Sequence, residues 1–441
     1  MTKTGSSHTI LGVARTRHLS CKLLLPFGRG TVAAYVPDSA AILSGAGGIA
    51  LPDADAAVRK GLEHPSGTAA LHEIVRRKRP SCVSLVASDH TRASPSRVLI
   101  PPILEVLRAE GVPSPAVTIL VATGTHRATT DEEKKELFGE RVVETCRIVD
   151  HRCADPACLL PIQVNGQRCS VSRAYLESDL KILTGLVEPH FMAGFSGGRK
   201  AVCPGLAGMD TVRVFHGPEF LESPFAAAGV LRNNPCHLFA TRCAQVAGVD
   251  FIVNATIDRN GQVTGVFCGE MRQAFLAGVR QCRRQCQVAC SEKYDIVITT
   301  NGGYPLDRDF YQTVKGLVNC LPVLRKGGTI LCASECADGL GSENFRFLLA
   351  HATDPEAFLR RISAPDFFQH DQWEVEELMK VLRVARVRLF STLSPSDART
   401  AHAEPIESIQ EGIEQTLAEY GPSASVAVIP DGPYTLLTAQ T

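Results

Sequence analysis

The chain has 441 residues, of which 44% are hydrophobic and 21% are charged, a composition typical of a folded globular protein. Its 46 Lys and Arg residues balance its 46 Asp and Glu residues, so no overall charge favours a nucleic acid or an anionic membrane as a partner. No apolar run reaches the roughly 20 residues of a membrane-spanning helix, and residues 1–8 lack the pattern of a secretory signal, which predicts a cytoplasmic protein.

A chain of this length exceeds what one hydrophobic core normally organises, so two domains are expected. In the first half, residues 83–88 and 117–122 are short β-branched runs. Each run is followed by a polar loop and then by a helical pattern, and the second helix begins with the capping sequence Thr130-Asp-Glu-Glu133. Strands that alternate with helices predict a parallel α/β sheet.

The most informative stretch follows a third apolar run, at residues 181–187. It contains a histidine, two adjacent glycines and a lysine, which are His190, Gly197, Gly198 and Lys200. Glycines let the backbone approach a bound group closely, while His and Lys supply an acid/base group and a nucleophilic amine. Packing alone gives no reason for this combination, so the stretch is predicted to be a functional site.

Residues 251–267 have a different pattern, in which two strand-like runs flank an Asn-Gly pair and predict a β-hairpin. A helix is expected over residues 271–288. The domain boundary is placed within that helix, which gives an N-terminal domain of residues 1–280 and a C-terminal domain of residues 281–441.

The sixteen cysteines show no paired metal-ligand spacing, and most are expected to be small buried residues and not disulfides. Cys282, Cys286 and Cys290 recur every four residues. Because that spacing puts them on one face of a helix, we interpret them as a half-buried helical stripe in preference to a metal or cluster site.

The last third continues the alternation of strands and helices. Residues 295–300 predict a strand, followed by a loop and by a helix through Tyr311 and Lys315 that is expected to end at Gly327-Gly328, before a strand at residues 329–332. The predicted fold class is therefore two α/β domains with mainly parallel sheets and an active-site cleft between the domains.

Chemically active side chains follow the predicted strands. Because ligands bind at the carboxyl ends of strands in open α/β sheets, the loops 89–92, 124–127, 188–200 and 301–307 are expected to converge on one cleft. Basic side chains in such a cleft, here Arg92 and Lys315, suit a small carboxylate.

Three histidines, His126, His190 and His216, suit either catalysis by imidazole or hydrolysis at a zinc ion. The zinc alternative lacks a His-Glu-x-x-His or Cys-x-x-Cys motif. A P-loop is also unsupported, because Arg199 and Ala201 stand where a glycine and a Ser or Thr are required.

Four segments together resemble the nickel-dependent lactate racemase (LarA) family of 2-hydroxy-acid racemases and epimerases. They are Asp-His-Thr-Arg at 89–92, Gly-Thr-His-Arg at 124–127, Glu-Pro-His-Phe-Met-Ala-Gly-Phe-Ser-Gly-Gly-Arg-Lys at 188–200 and Tyr-Gln-Thr-Val-Lys at 311–315. The resemblance extends from about residue 20 to residue 433.

The resemblance implies a nickel-pincer nucleotide cofactor, a pyridinium-3,5-bisthiocarboxylic acid mononucleotide that carries Ni(II). It implies covalent attachment of this cofactor to Lys200, a fourth nickel ligand at His216, and loading by cofactor-biosynthesis proteins. Soft sulfur donors and a square-planar arrangement suit Ni(II). Asp89, Gly197 and Gly198 belong to the expected cofactor surroundings.

The resemblance also implies the roles of the remaining residues. His126 and His190 match a pair of acid/base histidines, because opposite enantiomers present their hydroxyl group to opposite sides. Arg92 and Lys315 are expected to bind the substrate carboxylate, and three further residues of the expected substrate site are Tyr311, Gln312 and Trp373.

Ala93 follows Arg92, whereas family members often have proline there, so lactate itself is not assumed and the 2-hydroxy acid stays open. Two alternatives remain, namely a zinc-dependent hydrolase that uses the same histidines and a cofactor-binding homologue without turnover. The presence of both His126 and His190 argues against the second, since a binding protein needs no paired bases.

Overall fold

The computed structural model of the chain describes residues 19–364 and 366–439. The sequence pattern at residues 1–8, from which the lack of a secretory signal was predicted, lies outside the described residues. None of the helices in the described part is both long and apolar enough to cross a membrane.

The strands alternate with helices along most of the chain. The strands are β1 (Leu19–Phe27), β2 (Gly30–Pro37), β3 (Ala41–Ile42), β4 (Val83–Ser88), β5 (Val117–Ala122), β6 (Arg147–Asp150), β7 (Leu159–Val164), β8 (Gln167–Ser172), β9 (Leu180–Leu186), β10 (Pro189–His190), β11 (Gly194–Phe195), β12 (Phe251–Ile257), β13 (Val263–Gly269), β14 (Gln287–Cys290), β15 (Tyr294–Thr300), β16 (Leu324–Ala333), β17 (Ala385–Phe390), β18 (Glu404–Pro405), β19 (Val426–Ile429) and β20 (Leu436–Ala439).

The helices vary from one turn to more than four turns. They are α1 (Ala54–Glu63), α2 (Leu71–Lys78), α3 (Ser96–Ala109), α4 (Asp131–Phe138), α5 (Glu140–Thr145), α6 (Arg173–Leu176), α7 (Met209–Phe215), α8 (Pro218–Leu221), α9 (Pro235–Ala247), α10 (Met271–Cys286), α11 (Phe310–Val318), α12 (Glu343–His351), α13 (Pro355–Ile362), α14 (Gln372–Leu382), α15 (Pro395–Thr400) and α16 (Ile409–Tyr420).

The first large sheet has six strands in the order β13-β12-β9-β4-β5-β6. All neighbours are parallel except β12 and β13, which form the predicted hairpin. The central strands are almost entirely apolar and buried, as expected for strands covered by helices on both faces. Neighbouring strands β9, β4 and β5 therefore end at one edge, and the loops that follow them meet there.

The second large sheet is fully parallel, in the order β18-β17-β16-β15-β19-β3. Strand β3 comes from the N-terminal part of the chain, and the β1–β2 hairpin packs its buried side chains, such as Leu25 and Val36, against Ile298 of this sheet. The predicted α/β class with mainly parallel sheets is confirmed. The domain boundary near residue 280 stays a prediction.

Two expected element boundaries were wrong. Helix α11 ends at Val318, not at Gly327-Gly328, because the chain leaves the helix after Asn319 and those glycines lie inside β16. Helix α10 ends at Cys286, and the chain continues as strand β14, which pairs with β20 at the C-terminus. This long-range pairing removes Cys290 from the predicted helical stripe, whereas Cys282 and Cys286 do share a face, with their sulfur atoms 3.7 Å apart.

Candidate active site

A cavity at the carboxyl edge of the first sheet collects most of the predicted site residues. The first-sheet side contributes Asp89 and Arg92 after β4, His126 after β5, and His190, Gly197 and Lys200 after β9. His216 comes from the end of α7, and Tyr311, Lys315 and Trp373 come from α11 and α14. Both halves of the chain thus build one cavity.

His126 and Asp89 form a hydrogen-bonded dyad. Nδ1 of His126 lies 2.6 Å from Oδ2 of Asp89, while the backbone N–H and the hydroxyl group of Thr91 donate to Oδ1. Burial alone would raise the pKa of Asp89, but the charge and hydrogen bond of His126 lower it below its usual range. The ionised carboxylate therefore accepts the Nδ1 proton of His126, so that in the neutral form of the ring the lone pair is on Nε2.

His190 has the opposite arrangement. Its Nδ1 atom accepts hydrogen bonds from the backbone N–H groups of Met192 and Ala193, both at 3.2 Å. Burial lowers the pKa of His190 well below the ordinary value. The neutral ring therefore carries its proton on Nε2, so that His126 is a proton acceptor and His190 a hydrogen-bond donor in this structure.

Lys200 lies in a short 3₁₀ turn that begins after Gly197. The φ of Gly197 is 81°, and a Cβ atom there would lie 3.0 Å from Cγ2 of Val187, so only glycine fits this approach of the loop to β9. Burial, and then the charge of Arg92, lower the pKa of Lys200 well below its usual value. A neutral amine in this position is a nucleophile.

Aromatic contacts hold His216, Trp373 and Tyr311 in place in the cavity wall. The ring of Trp373 stacks on His216 with 4.8 Å between centroids, and its indole N–H donates to the hydroxyl oxygen of Tyr311 at 2.8 Å. Nδ1 of His216 is buried without a hydrogen-bond partner. Burial lowers the pKa of His216 to about 3, so the imidazole is neutral, which is the form that binds metals.

Two basic residues face the cavity from opposite halves of the chain. Nε of Arg92 lies 3.5 Å from the carboxylate of Glu188, and Nζ of Lys315 donates to the amide oxygen of Gln312. Burial, and then the charge of Arg92, lower the pKa of Lys315 to about 7. A substrate carboxylate between the half-buried Arg92 and the buried Lys315 would accept charge-assisted hydrogen bonds from both.

Two predicted residues, Gly198 and Gln312, do not line the cavity. A Cβ atom on Gly198 would meet the Phe275 ring at 3.3 Å, so this glycine serves loop packing, and Gln312 acts through Lys315.

Glu374 lines the cavity but was missed, because it lies in Trp-Glu-Val-Glu-Glu, a pattern that indicates a solvated helix face. Glu188 was also given no role, although it lies inside the glycine-rich segment.

Across residues 19–364 and 366–439, no group of three or more His, Cys, Asp or Glu side chains is positioned to hold a metal ion. Any metal in this cavity would therefore take part of its ligand set from elsewhere. Among the residues that line the cavity, His216 has a buried ring nitrogen without a hydrogen-bond partner.

The chain matches two family models along most of its length. Residues 27–229 match the lactate racemase N-terminal domain, and residues 289–436 match the lactate racemase C-terminal domain. The lactate racemase of Thermoanaerobacterium thermosaccharolyticum is 34% identical over 420 residues, which cover 92% of this chain and 97% of that protein. The lactate racemase of Lactiplantibacillus plantarum is 37% identical over 380 residues, which cover 85% and 89%.

Solved structures agree with these matches. The lactate racemase apoprotein of T. thermosaccharolyticum superposes with a TM-score of 0.86 at 32% identity, covering 95% of this chain and all of that one. A protein from Thermotoga maritima, at 17% identity and a TM-score of 0.68, shares the fold. The chain belongs to the lactate racemase family and is an isomerase.

Proposed function

We propose that this protein interconverts the two configurations at C2 of a 2-hydroxy acid, with a nickel-pincer nucleotide attached to Lys200. The observation that carries the proposal is the meeting, in one cavity, of two differently bonded imidazoles, a neutral lysine and two cations from opposite halves of the chain. Family membership supports the reaction class.

The substrate carboxylate binds between Arg92 and Lys315. Arg92 presents a guanidinium held by Thr91 and Glu188, and Lys315 presents an ammonium held by Gln312. Charge-assisted hydrogen bonds from two sides fix the carboxylate and thus the position of C2. The oxygen of the Tyr311 hydroxyl group accepts from Trp373, so the hydroxyl proton is available to a substrate oxygen.

The hydroxyl group on C2 must lose its proton when the C2 hydrogen leaves as hydride. His126 takes that proton at Nε2, because its Nδ1–H is committed to Asp89. His190 faces the cavity with Nε2–H and stabilises the oxygen as negative charge develops on it. For the opposite enantiomer the two imidazoles exchange roles, which requires His190 to release its backbone contacts at Nδ1.

The residues present fit the implied cofactor. The imidazole of His216 stacks on Trp373, has a buried Nδ1 atom without a hydrogen-bond partner and is neutral, as a nickel ligand must be. Lys200 offers an uncharged amine for covalent attachment, beside a loop that only glycine can form. When bound, the cofactor supplies the acceptor and donor of hydride, while the protein residues bind, orient and exchange the proton.

The alternative from the sequence, a zinc-dependent hydrolase that uses the same histidines, is disfavoured, because across residues 19–364 and 366–439 no group of three His, Cys, Asp or Glu side chains is placed to hold a zinc ion. Metal analysis of protein produced together with the cofactor-building proteins separates the two. Nickel with an added mass on Lys200 supports the racemase, and stoichiometric zinc with an unmodified lysine supports the hydrolase. The non-catalytic alternative is supported if loaded protein racemises no acid.

The proposal includes the cofactor-building proteins as partners and the cytoplasm as the compartment. All sixteen cysteines lie among the described residues as free thiols, which suits a reducing compartment.

The direct test is circular dichroism of single-enantiomer 2-hydroxy acids incubated with loaded enzyme. We expect at least one acid in a panel of lactate, glycerate, malate and longer analogues to lose its optical activity. If none does, and nickel and cofactor are both present, the proposed function is wrong.

A further inference from the structure

Glu374 is a buried carboxyl group on the cavity wall that the proposed mechanism does not use. It lies in the first turn of α14, is 2% exposed and lines the cavity that contains Lys315 and Trp373. Within the described part of the chain its side chain has no hydrogen bond and no ion pair, and its Oε1 atom is buried without a partner. Burial raises the pKa of Glu374 well above its usual value.

An unpaired buried carboxyl group is costly unless a ligand supplies its partner. The other acidic side chain on the cavity wall, Asp89, is already saturated by Thr91 and His126. In the proposed mechanism the substrate carboxylate binds to Arg92 and Lys315, and the C2 hydroxyl group binds to His126 and His190. The remaining part of the substrate, beyond C2, is therefore the part left to meet Glu374.

The methyl group of lactate offers no hydrogen bond to a carboxyl group. A second substrate carboxylate could pair with Glu374 only in its protonated form, because two carboxyl groups in a buried space cannot both ionise. A hydroxyl group beyond C2 both donates and accepts, so it satisfies a carboxyl group in either protonation state.

We propose that Glu374 is a specificity-determining residue that hydrogen-bonds to a hydroxyl group on C3 or C4 of the substrate. The preferred substrate is then a polyhydroxylated 2-hydroxy acid and not lactate. This inference rests on the proposed function of the same site.

The test compares glycerate with lactate, because they differ by one hydroxyl group on C3. Racemisation by loaded enzyme is measured for each acid, with malate as a third substrate. We expect kcat/KM for glycerate to exceed that for lactate by at least about tenfold, since a site built to bind a hydroxyl group discriminates against the analogue that lacks it.

In Glu374→Leu the ratio of kcat/KM for glycerate to that for lactate should fall by about tenfold or more, while lactate racemisation is retained. Glu374→Gln should keep most of the preference for glycerate. The matched control is Glu376→Leu, because Glu376 is equally buried on the same helix but does not line the cavity. Glu376→Leu should prefer glycerate over lactate to the same extent as the wild type. Calorimetric titration with equilibrated glycerate should show weaker binding in Glu374→Leu only.

Three outcomes would overturn the inference. They are a wild type without preference for glycerate over lactate, a preference for malate, and a Glu374→Leu variant that loses activity on both acids equally. The first two need no variant, so a failure of Glu374→Leu to fold leaves the inference testable. Absence of racemisation of every acid would instead contradict the proposed function.

Discussion

Replacement of Asp89 by Asn tests the proton chemistry at His126. Thr91 donates its backbone N–H to Oδ1 of Asp89 at 3.2 Å, and a backbone donor cannot reverse its role. An asparagine at this position therefore keeps its oxygen at Oδ1 and turns its NH2 group toward Nδ1 of His126. Nδ1 must then accept, so the proton of the neutral ring moves to Nε2 and the lone pair that faces the substrate is lost.

The expected magnitude follows mainly from the loss of the general base. The hydrogen bond to the charged carboxylate, about 1.5–3 kcal/mol, is replaced by a neutral one of about 0.5–1.5 kcal/mol, which is the smaller effect. Loss of a positioned general base costs about 10²- to 10⁴-fold in rate. We therefore expect kcat of Asp89→Asn to fall by about 10²- to 10⁴-fold, with a smaller change in KM because the carboxylate contacts to Arg92 and Lys315 remain.

The assay is racemisation of one enantiomer followed by circular dichroism, normalised to nickel content and to the mass on Lys200. Asp179→Asn is the matched control, since Asp179 also accepts hydrogen bonds from a backbone N–H and a hydroxyl group, those of Ser81, but does not line the cavity. Its kcat should match the wild type. Asp89→Asn with full loading and a kcat within about threefold of the wild type would refute the assigned role of the dyad.

Three further predictions concern the cofactor and the substrate. Lys200→Ala should fold normally but lack the covalent adduct, which intact mass spectrometry measures. An adduct found in that variant would contradict the assignment. His216→Ala should lose nickel faster on dialysis than the wild type, with little change in substrate affinity; nickel retention equal to the wild type would argue against ligation. Because the pKa of Lys315 is lowered to about 7, its positive charge is lost as the pH rises through 7, so KM should increase above that pH. Lys315→Arg should flatten this rise, and an unchanged KM profile would show that the charge does not bind substrate.

The sequence predicted the edge of the first sheet well, because each strand is a short β-branched run and each loop carries recognisable chemistry. β4 and β5 have the predicted bounds, and the capping box of Thr130 and Glu133 is present at the start of α4. Parallel neighbours then bring the loops together without further information.

The features that the sequence did not predict depend on long-range contacts. Strand β14 forms only because β20 pairs with it from more than a hundred residues away, so the local pattern favoured a longer helix. The tautomers of His126 and His190 depend on Asp89 and on backbone N–H groups whose positions no spacing reveals. Glu374 has the local pattern of a solvated residue, and its burial depends on how α14 packs against α11 and other elements of the fold.

The central claim is that Lys200 carries a nickel-bearing hydride acceptor between His126 and His190. Peptide mass mapping and nickel analysis of protein produced with the cofactor-building proteins test it most directly. We expect an adduct confined to Lys200 and one nickel ion for each adduct. An unmodified Lys200 without nickel, in protein that nevertheless racemises a 2-hydroxy acid, would contradict it.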